Sequence, residues 1–406
     1  MSQPNLSNRQ IAWLLASLSA IMPFAIDVYL PAVPSMAEAL KVSSADIQQN
    51  LSMFLIGQAF GLIIGGTISD IKGRKPIVLC GLIIFALSSL LLMFIDSIQQ
   101  LLFIRFIQAI GAGMIAAMGG AIVRDYYDGQ QAAQIFALIG LIMMMAPLLA
   151  PTIGSTLHYL FNWQAIFAFL TIYSCLIFII QLKFLPQKVI ISDAPSWSIL
   201  SHQILQRYQR VLTTRPALGF LFAQSFSFAA MFCFLTESPF VYMQYFQLSE
   251  FHYASVFACN LLAMMIFNRI TAWKLKQGIA PHKILRYGVI FQSILNISLF
   301  LIVLIDNTPP LWLFISLVCL SVGTQGFVGA NTQACFMQFF KTEGGSANGV
   351  LLSAQALIAA SVGYLTTQLH NNSLMIMPMM MMFSSLIGIS LLWLCSRQIW
   401  QNQSHS

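Results

Sequence analysis

Three ionisable residues stand inside long apolar runs of the chain: Asp27, Arg105 and Glu237. Placing such a group at the centre of a membrane-spanning helix costs roughly 2.5–3.5 kcal/mol, so these positions mark substrate, ion or proton pathways. Asp27 lies about 24 Å along its run, counted from Ile11, in a hydrocarbon core about 30 Å thick. Arg105, on a run of opposite direction, lies about 6 Å past Leu101. The two therefore share a depth. A nearby opposite charge holds a carboxyl ionised, whereas burial favours its protonated form. A carboxyl balanced between these effects takes up or releases a proton as its surroundings open and close. The same two residues also fit a static salt bridge between helices, or a snorkelling Arg. Glu237, two residues before Pro239, reads as a second proton site, a cation-attracting group, or a carboxylate held in interfacial water.

Other chemistries are excluded by what the apolar runs lack. His158, His202, His252, His282, His370 and His405 all fall in connections or the tail. Neither a histidine proton relay nor an H-E-x-x-H metal centre is therefore expected within the spans. The seven cysteines lie within apolar stretches or at their ends, with no C-x-x-C spacing, and read as small buried hydrophobes. No G-x-x-x-x-G-K-[ST] phosphate loop occurs, so an ion gradient rather than ATP is the expected energy source. No metal and no cofactor is expected.

The elements that must position these residues follow from composition. Of 406 residues, 58% are apolar and only 8% charged, against roughly 25% charged in soluble domains. That excludes a soluble enzyme, a nucleic-acid binder and a disordered chain. A transmembrane barrel is excluded because its strands alternate apolar and polar residues. The fold class is an all-α membrane protein. Spans of about 20 residues fit at 10–33, 47–68, 77–95, 100–124, 133–157, 164–184, 217–245, 253–273, 283–305, 311–337, 347–369 and 374–396. The longest gap carries Pro186, Pro195 and Pro216 with polar and basic residues, and reads as a linker over 186–216 between halves 1–185 and 217–406. The first run is too long for a signal-peptide core and reads as an uncleaved span.

With both termini in the cytoplasm, all of the 19 lysines and arginines except Lys41 and Arg105 fall in cytoplasmic segments. This is the positive-inside pattern, and it accounts for the net charge of +7 without nucleic acid. The connections after spans 2 and 8 are both basic, a weak echo between the halves.

Three further patterns bear on mechanism. The connection Gly66-Thr67-Ile68-Ser69-Asp70-Ile71-Lys72-Gly73-Arg74-Lys75 combines a tight reversal at Gly73 with Arg74 and Lys75 directed at a helix end or an acidic neighbour. In span 5, Gly140, Met143, Met144, Pro147, Pro151 and Gly154 share one face by 3–4 spacing. Two prolines four apart bend a helix, and glycines allow close approach, which suits a sealed, bendable contact. For a cavity, Pro23, Phe24 and Leu30 share the face of Asp27 while Tyr29 points nearly opposite. Gln108 follows Arg105, and Phe234 and Phe240 flank Glu237. With Met144, these give an aromatic, Met-rich lining suited to varied lipophilic ligands.

The glycine-rich connection resembles the cytoplasmic signature loop of the major facilitator superfamily, with Ile71 where Arg is usual. Ile26-Asp27-Val28-Tyr29-Leu30-Pro31-Ala32-Val33-Pro34 resembles span 1 of the Bcr/CflA-type drug–proton antiporters. Arg105-Phe106-Ile107-Gln108-Ala109-Ile110-Gly111-Ala112-Gly113 resembles the superfamily's span 4 motif, whose Arg is implicated in proton coupling. Ala146-Pro147-Leu148-Leu149-Ala150-Pro151-Thr152-Ile153-Gly154 resembles the antiporter motif. Asn162-Trp163-Gln164-Ala165-Ile166-Phe167, Ser238-Pro239-Phe240-Val241-Tyr242 and Gly344-Gly345-Ser346-Ala347-Asn348-Gly349 resemble the starts or cores of spans 6, 7 and 11. Gln164 replaces the usual Arg, and Glu237 stands where a small residue is expected.

The resemblance implies twelve helices in two six-helix halves, with the substrate site where the halves meet. It implies a monomer in the bacterial inner membrane, not an enzyme, that exports chloramphenicol-, bicyclomycin- or multidrug-type lipophilic substrates in exchange for protons. Asp27 and Arg105 would couple protons; Glu237, which departs from the family pattern, is a proton-coupling candidate only as an ionisable residue in an apolar run. Gly66, Asp70, Gly73, Arg74 and Lys75 would gate the cytoplasmic side. A proton-coupled transporter of one metabolite, such as a sugar or amino acid, is the rival, and a membrane-embedded enzyme or receptor a remote one.

Overall fold

A computed structural model describes residues 8–126, 129–185, 206, 209–340 and 344–402. Among these every regular element is helical, and the chain separates into two compact units, Met1–Trp197 and Ser198–Ser406. Most of the linker expected over 186–216 lies outside the described residues.

The first unit holds α1 (Asn8–Asp27), a 3₁₀ turn (Leu30–Ala32), α2 (Val33–Leu40), α3 (Ser44–Lys72), α4 (Arg74–Leu91), α5 (Ile98–Tyr126), α6 (Gly129–Leu160) and α7 (Gln164–Phe184). The second holds α8 (Arg215–Pro239), which passes into a π-helical segment (Phe240–Tyr245), then α9 (Glu250–Lys276), α10 (Pro281–Ile305), α11 (Leu311–Gly323), α12 (Gln325–Met337), α13 (Gly344–Leu369) and α14 (Ile376–Asn402). Eleven stretches of these helices are long and apolar enough to cross a membrane, and α6, with 32 residues, is a twelfth helix of that length. Large apolar side chains such as Phe94, Phe103, Ile179 and Trp312 stand exposed, as an apolar solvent requires.

Helix pairing repeats between the units. In the first, α1 packs on α6, α3 on α5 and α4 on α7. In the second, α8 packs on α13, α9 on α11 and α12, and α10 on α14. Counted by membrane crossings, these three pairings are the same in each unit, whereas the extensive α8–α14 contact of the second has only a slight counterpart, α1–α7, in the first. The weak sequence echo is thus an internal repeat in structure.

The first crossing is not one continuous helix, contrary to the uninterrupted span expected over 10–33. It runs from Gln10 to Leu40 and breaks after Asp27. Pro31 is the cause. It has no N–H to give the Asp27 carbonyl four residues back, and its ring clashes with that position. The chain recovers through a 3₁₀ turn closed by the Ala32 N–H to the Tyr29 carbonyl at 2.9 Å. Next, α3 starts in a capping box: the Asp46 N–H reaches the Ser43 hydroxyl at 3.1 Å, and the Ser43 N–H reaches the Asp46 carboxylate at 3.0 Å.

Candidate functional site

Asp27 ends α1 and is 5% exposed, yet its carboxyl makes no hydrogen bond or ion pair among the described residues. The contact with Arg105 that depth alone suggested is absent. Arg105, fully buried, donates instead from Nε to Asn50 Oδ1 (3.1 Å), from Nη1 to Gln108 Oε1 (2.7 Å) and from Nη2 to the Ala25 carbonyl (2.9 Å). Its guanidinium also stands over the rings of Tyr29 (4.8 Å) and Phe54 (4.7 Å). A buried guanidinium is costly unless its donors are met. Here neutral acceptors and aromatic faces meet them.

The consequence falls on Asp27. Arg105 holds Ala25, two residues before the carboxyl, and Tyr29, two residues after it. Tyr29 was expected to point away from Asp27 on a continuous helix; because the helix stops at Asp27, its ring turns onto Arg105. The knot extends further, since Gln108 Nε2 donates to Ser89 Oγ (2.7 Å), which donates to the Phe85 carbonyl (2.7 Å). Four helices, α1, α3, α4 and α5, are thereby fixed around the break. The α3–α5 contact is close because Gly57, Gly61 and Gly113 leave no room for a Cβ against the opposing backbone.

Of the face of α6 singled out in the sequence, Gly154 meets the same turn, whereas Gly140 and Met143, expected in the same sealed contact, stand exposed. A methyl at Gly154 would collide with the Val28 carbonyl, one residue past Asp27. Pro151 is buried and Pro147 half-buried. Both lie inside one continuous helix. The Met144 side chain lies outside what is described. His158, near the end of α6, hydrogen-bonds Ser35 Oγ of α2 at 2.9 Å, so α6 holds the first crossing on both sides of the break.

At the far end of α3, Gly73 takes φ +87°, a conformation that favours glycine, and caps the helix through its N–H to the Ser69 carbonyl at 3.0 Å. The reversal delivers Arg74 Nε to Asp125 Oδ2 on α5 at 2.9 Å, and Arg74 also bonds the Ser69 hydroxyl. The acidic neighbour foreseen for this loop is therefore Asp125. Lys75 is half-buried, a Cβ at Gly66 would meet open space, and the side chains of Asp70 and Ile71 lie outside what is described.

In the second unit Glu237 is 1% exposed, and its Oε2 lies 3.0 Å from His370 Nδ1. The other ring nitrogen, Nε2, faces Asn372 Oδ1 at 3.2 Å, while Glu237 Oε1 has no partner among the described residues. Asn372 adopts φ +60°, which turns the short connection after α13 back on itself. His370 lies just outside the membrane-crossing stretch Ala347–Leu369. Its imidazole is raised above its ordinary value, first by the hydrogen bond with Glu237 and against the opposing effect of burial. His370 is in a connection, as expected, but the connection folds it onto a carboxylate of the preceding α8 end.

The aromatic candidates have packing roles. Phe24 stands edge-on to Phe169 (5.8 Å) and Tyr173 (5.4 Å) of α7. Phe234, fully buried, stacks on Phe257 at 6.0 Å. Phe240 lies edge-on to His370 at 4.5 Å and so covers the Glu237–His370 pair. The sequence did not lead to Asn50, Asp125, Tyr29 or His370. Asn50 and Gln108 carry a signal, being amides in apolar runs; the other three have none that singles them out.

Residues 15–364 match the Major Facilitator Superfamily. The chain is 28% identical over 378 residues to a "Bicyclomycin resistance protein homolog" of Haemophilus influenzae, covering 93% of each. It is 27% identical over 353 residues to "Multidrug resistance protein MdtL" of Shigella flexneri, covering 84% of this chain and 85% of that one. Among solved structures it superposes on a D-xylose–proton symporter with TM-score 0.71 at 14% identity, covering 93% and 97% of the two chains. It superposes on a nucleoside transporter, NupG, with TM-score 0.72 at 13% identity, covering 96% and 98%. These two show a shared fold. The protein is a multi-pass membrane transporter rather than an enzyme, and it belongs to the Major Facilitator Superfamily.

Proposed function

We propose that the protein exports lipophilic drugs across the bacterial inner membrane in exchange for protons, with Asp27 as the proton carrier. One observation carries the reading: a buried carboxyl with no hydrogen-bond or ion-pair partner among the described residues sits at the break of the first crossing. A proton on Asp27 removes its charge without disturbing any bond. Loss of that proton leaves a charge that must draw in water, or a cationic or hydrogen-bond-donating group of the substrate. The two occupants compete, and competition is what antiport requires. Arg105 acts as a positioning residue. It holds the Ala25 carbonyl before Asp27 and the Tyr29 ring after it, so a shift of the turn is transmitted to α3 and α5. Gly154 lets α6 seat against the same turn, so closing this contact and changing the state of Asp27 are one movement. Glu237 with His370 is a second protonatable group, in the other unit. The Arg74–Asp125 contact closes the cytoplasmic side. The names of the Haemophilus and Shigella relatives support a drug substrate.

One observation favours the rival reading, transport of a specific metabolite. Gln48, Ser52 and Gln58 on α3 are buried with polar atoms that lack partners among the described residues. Such groups fit a substrate with several hydroxyls.

The test uses inside-out vesicles energised by respiration, with a pH-gradient dye. Chloramphenicol, bicyclomycin, a lipophilic cation and a panel of sugars and nucleosides are added in turn. Drug-induced proton release that disappears in Asp27→Asn supports the proposal. Release by a metabolite and by none of the drugs rejects it in favour of the rival.

A further inference from the structure

Gln325 opens α12, one residue after Thr324 interrupts the tenth crossing, Leu311–Met337. Its amide is buried and reaches back to α8. Gln325 Nε2 donates to the Ser227 carbonyl at 2.7 Å and to Ser227 Oγ at 2.9 Å. Ser227, buried as well, passes its own hydroxyl proton to Gln292 Oε1 of α10 at 2.7 Å. A carbonyl oxygen has two lone pairs, so Ser227 takes Gln325 without giving up its place in the α8 backbone ladder. One turn further along α10, Asn296 donates to the Met381 carbonyl of α14 at 3.1 Å and accepts from the Ser321 hydroxyl of α11. From α9, Thr271 Oγ1 donates to the Gly326 carbonyl at 2.8 Å, and a Cβ at Gly326 would collide with the α9 backbone.

The first unit has the same plan with a different residue at its centre. Arg105, in the fourth crossing, holds the Ala25 carbonyl of the first, and its partner Gln108 holds Ser89 of the third. Gln325, in the tenth, holds the Ser227 carbonyl of the seventh, and Ser227 holds Gln292 of the ninth. The second and eighth crossings join through Asn50 and Thr271. These crossings are equivalent under the internal repeat. The difference is charge: a guanidinium ties the first unit, a neutral amide the second.

We propose that Gln325 is a positioning residue of the transport cycle, tying the seventh crossing to the ninth and tenth so that the second unit moves as one body. Alternating access in this fold is rigid-body rocking of helix bundles, and a bundle rocks as one only if its internal ties outlast the movement. Gln325, Ser227 and Gln292 do not titrate near neutral pH, so this tie is the same whether or not a proton is bound. The role follows from transport by the superfamily fold and depends on neither the drug nor the proton of the proposed function.

The experiment is substrate counterflow in proteoliposomes of the full-length protein, without a pH gradient, at about pH 5. The probes are labelled chloramphenicol, bicyclomycin, xylose and uridine. For a probe that the wild type exchanges, Gln325→Leu should lower the maximal rate, counted per probe-binding protein, at least about tenfold, with the half-saturating concentration within about threefold. Gln325→Glu should lie nearer the wild-type rate than the leucine rate. At that pH a buried carboxyl is protonated, and its O–H replaces the amide as donor to the Ser227 carbonyl. A side chain that only fills space gives no such recovery. A wild-type rate in Gln325→Leu, or a rate in Gln325→Glu nearer that of the leucine variant, overturns the proposal. A wild type that exchanges none of the four probes counts against the substrate reading and not against this one. The tie is then judged by unfolding temperature in detergent at the same pH: Gln325→Glu nearer the wild type supports it, and Gln325→Glu nearer Gln325→Leu overturns it.

Discussion

The two units bury opposite charges and solve the problem in opposite ways. Arg105 in the first unit is met by Asn50, Gln108, the Ala25 carbonyl and two aromatic rings, none of which titrates near neutral pH. Glu237 in the second is met by His370, which does. A charge held by amides and carbonyls is a fixed strut. A charge held by an imidazole is a pair that responds to pH. Asp27 belongs to neither class, because its carboxyl has no bonding partner among the described residues, and that is what makes it the carrier in the proposed mechanism.

Breaking the strut should have the largest effect on stability. Arg105→Ala leaves three buried acceptors unmet and a void, and is expected to cost about 3 kcal/mol or more. A strongly lowered unfolding temperature in detergent, partly recovered in Arg105→Lys, checks this. An unchanged melting profile in the alanine variant rules out a strut.

Gly154→Ala comes next. Its methyl meets the Val28 carbonyl, and the backbone must separate at a cost of about 1–3 kcal/mol. The expected outcome is a folded protein whose transport rate falls at least about tenfold. Gly140→Ala, where a Cβ meets open space, should transport at the wild-type rate.

The titrating pair gives a smaller effect with a definite sign. The His370 imidazole is raised, so its contribution to stability is fully present below the ordinary histidine value of about 6.5. That contribution is lost as pH rises through the raised value. Glu237→Gln removes the cause. The gap in unfolding temperature between wild type and variant should shrink as pH rises from about 5.5 to about 8.5. In ¹⁵N-histidine spectra the His370 signal should titrate at lower pH in the variant. A gap that is constant with pH, and an unmoved titration, would contradict the pairing.

The smallest effect is expected at the cytoplasmic contact. Arg74 and Asp125 are 21% and 26% exposed, so Asp125→Asn should change stability by no more than about 1 kcal/mol. Its signature is a few-fold change in transport rate with intact folding.

The sequence made the helices legible and left their interruptions hidden. Hydropathy located the membrane crossings because each requires about 20 apolar residues. Hydropathy is blind to backbone hydrogen bonds, and the run through Asp27 stays apolar to Val33. The signal for the break was Pro31, whose missing N–H falls four residues after Asp27. Depth counting placed Asp27 and Arg105 at one level, and Arg105 does bond Ala25, two residues from Asp27. Counting charges alone suggested a salt bridge; the actual partners are amides, which a search for ionisable residues passes over. His370 was hidden because a connection's return path, set here by the left-handed Asn372, is a tertiary property. The Arg74 contact was legible because a tight reversal at Gly73 leaves the next side chain few places to go.

The central claim is that Asp27 exchanges its proton for substrate. Its most direct test is reconstituted Asp27→Asn assayed two ways in the same proteoliposomes: drug–drug exchange without a gradient, and drug accumulation driven by an imposed pH gradient. The proposed mechanism predicts exchange within about threefold of wild type, because the turn stays held by Arg105 and Gly154, together with complete loss of gradient-driven accumulation. Accumulation at the wild-type level in Asp27→Asn would contradict it and move the proton site elsewhere.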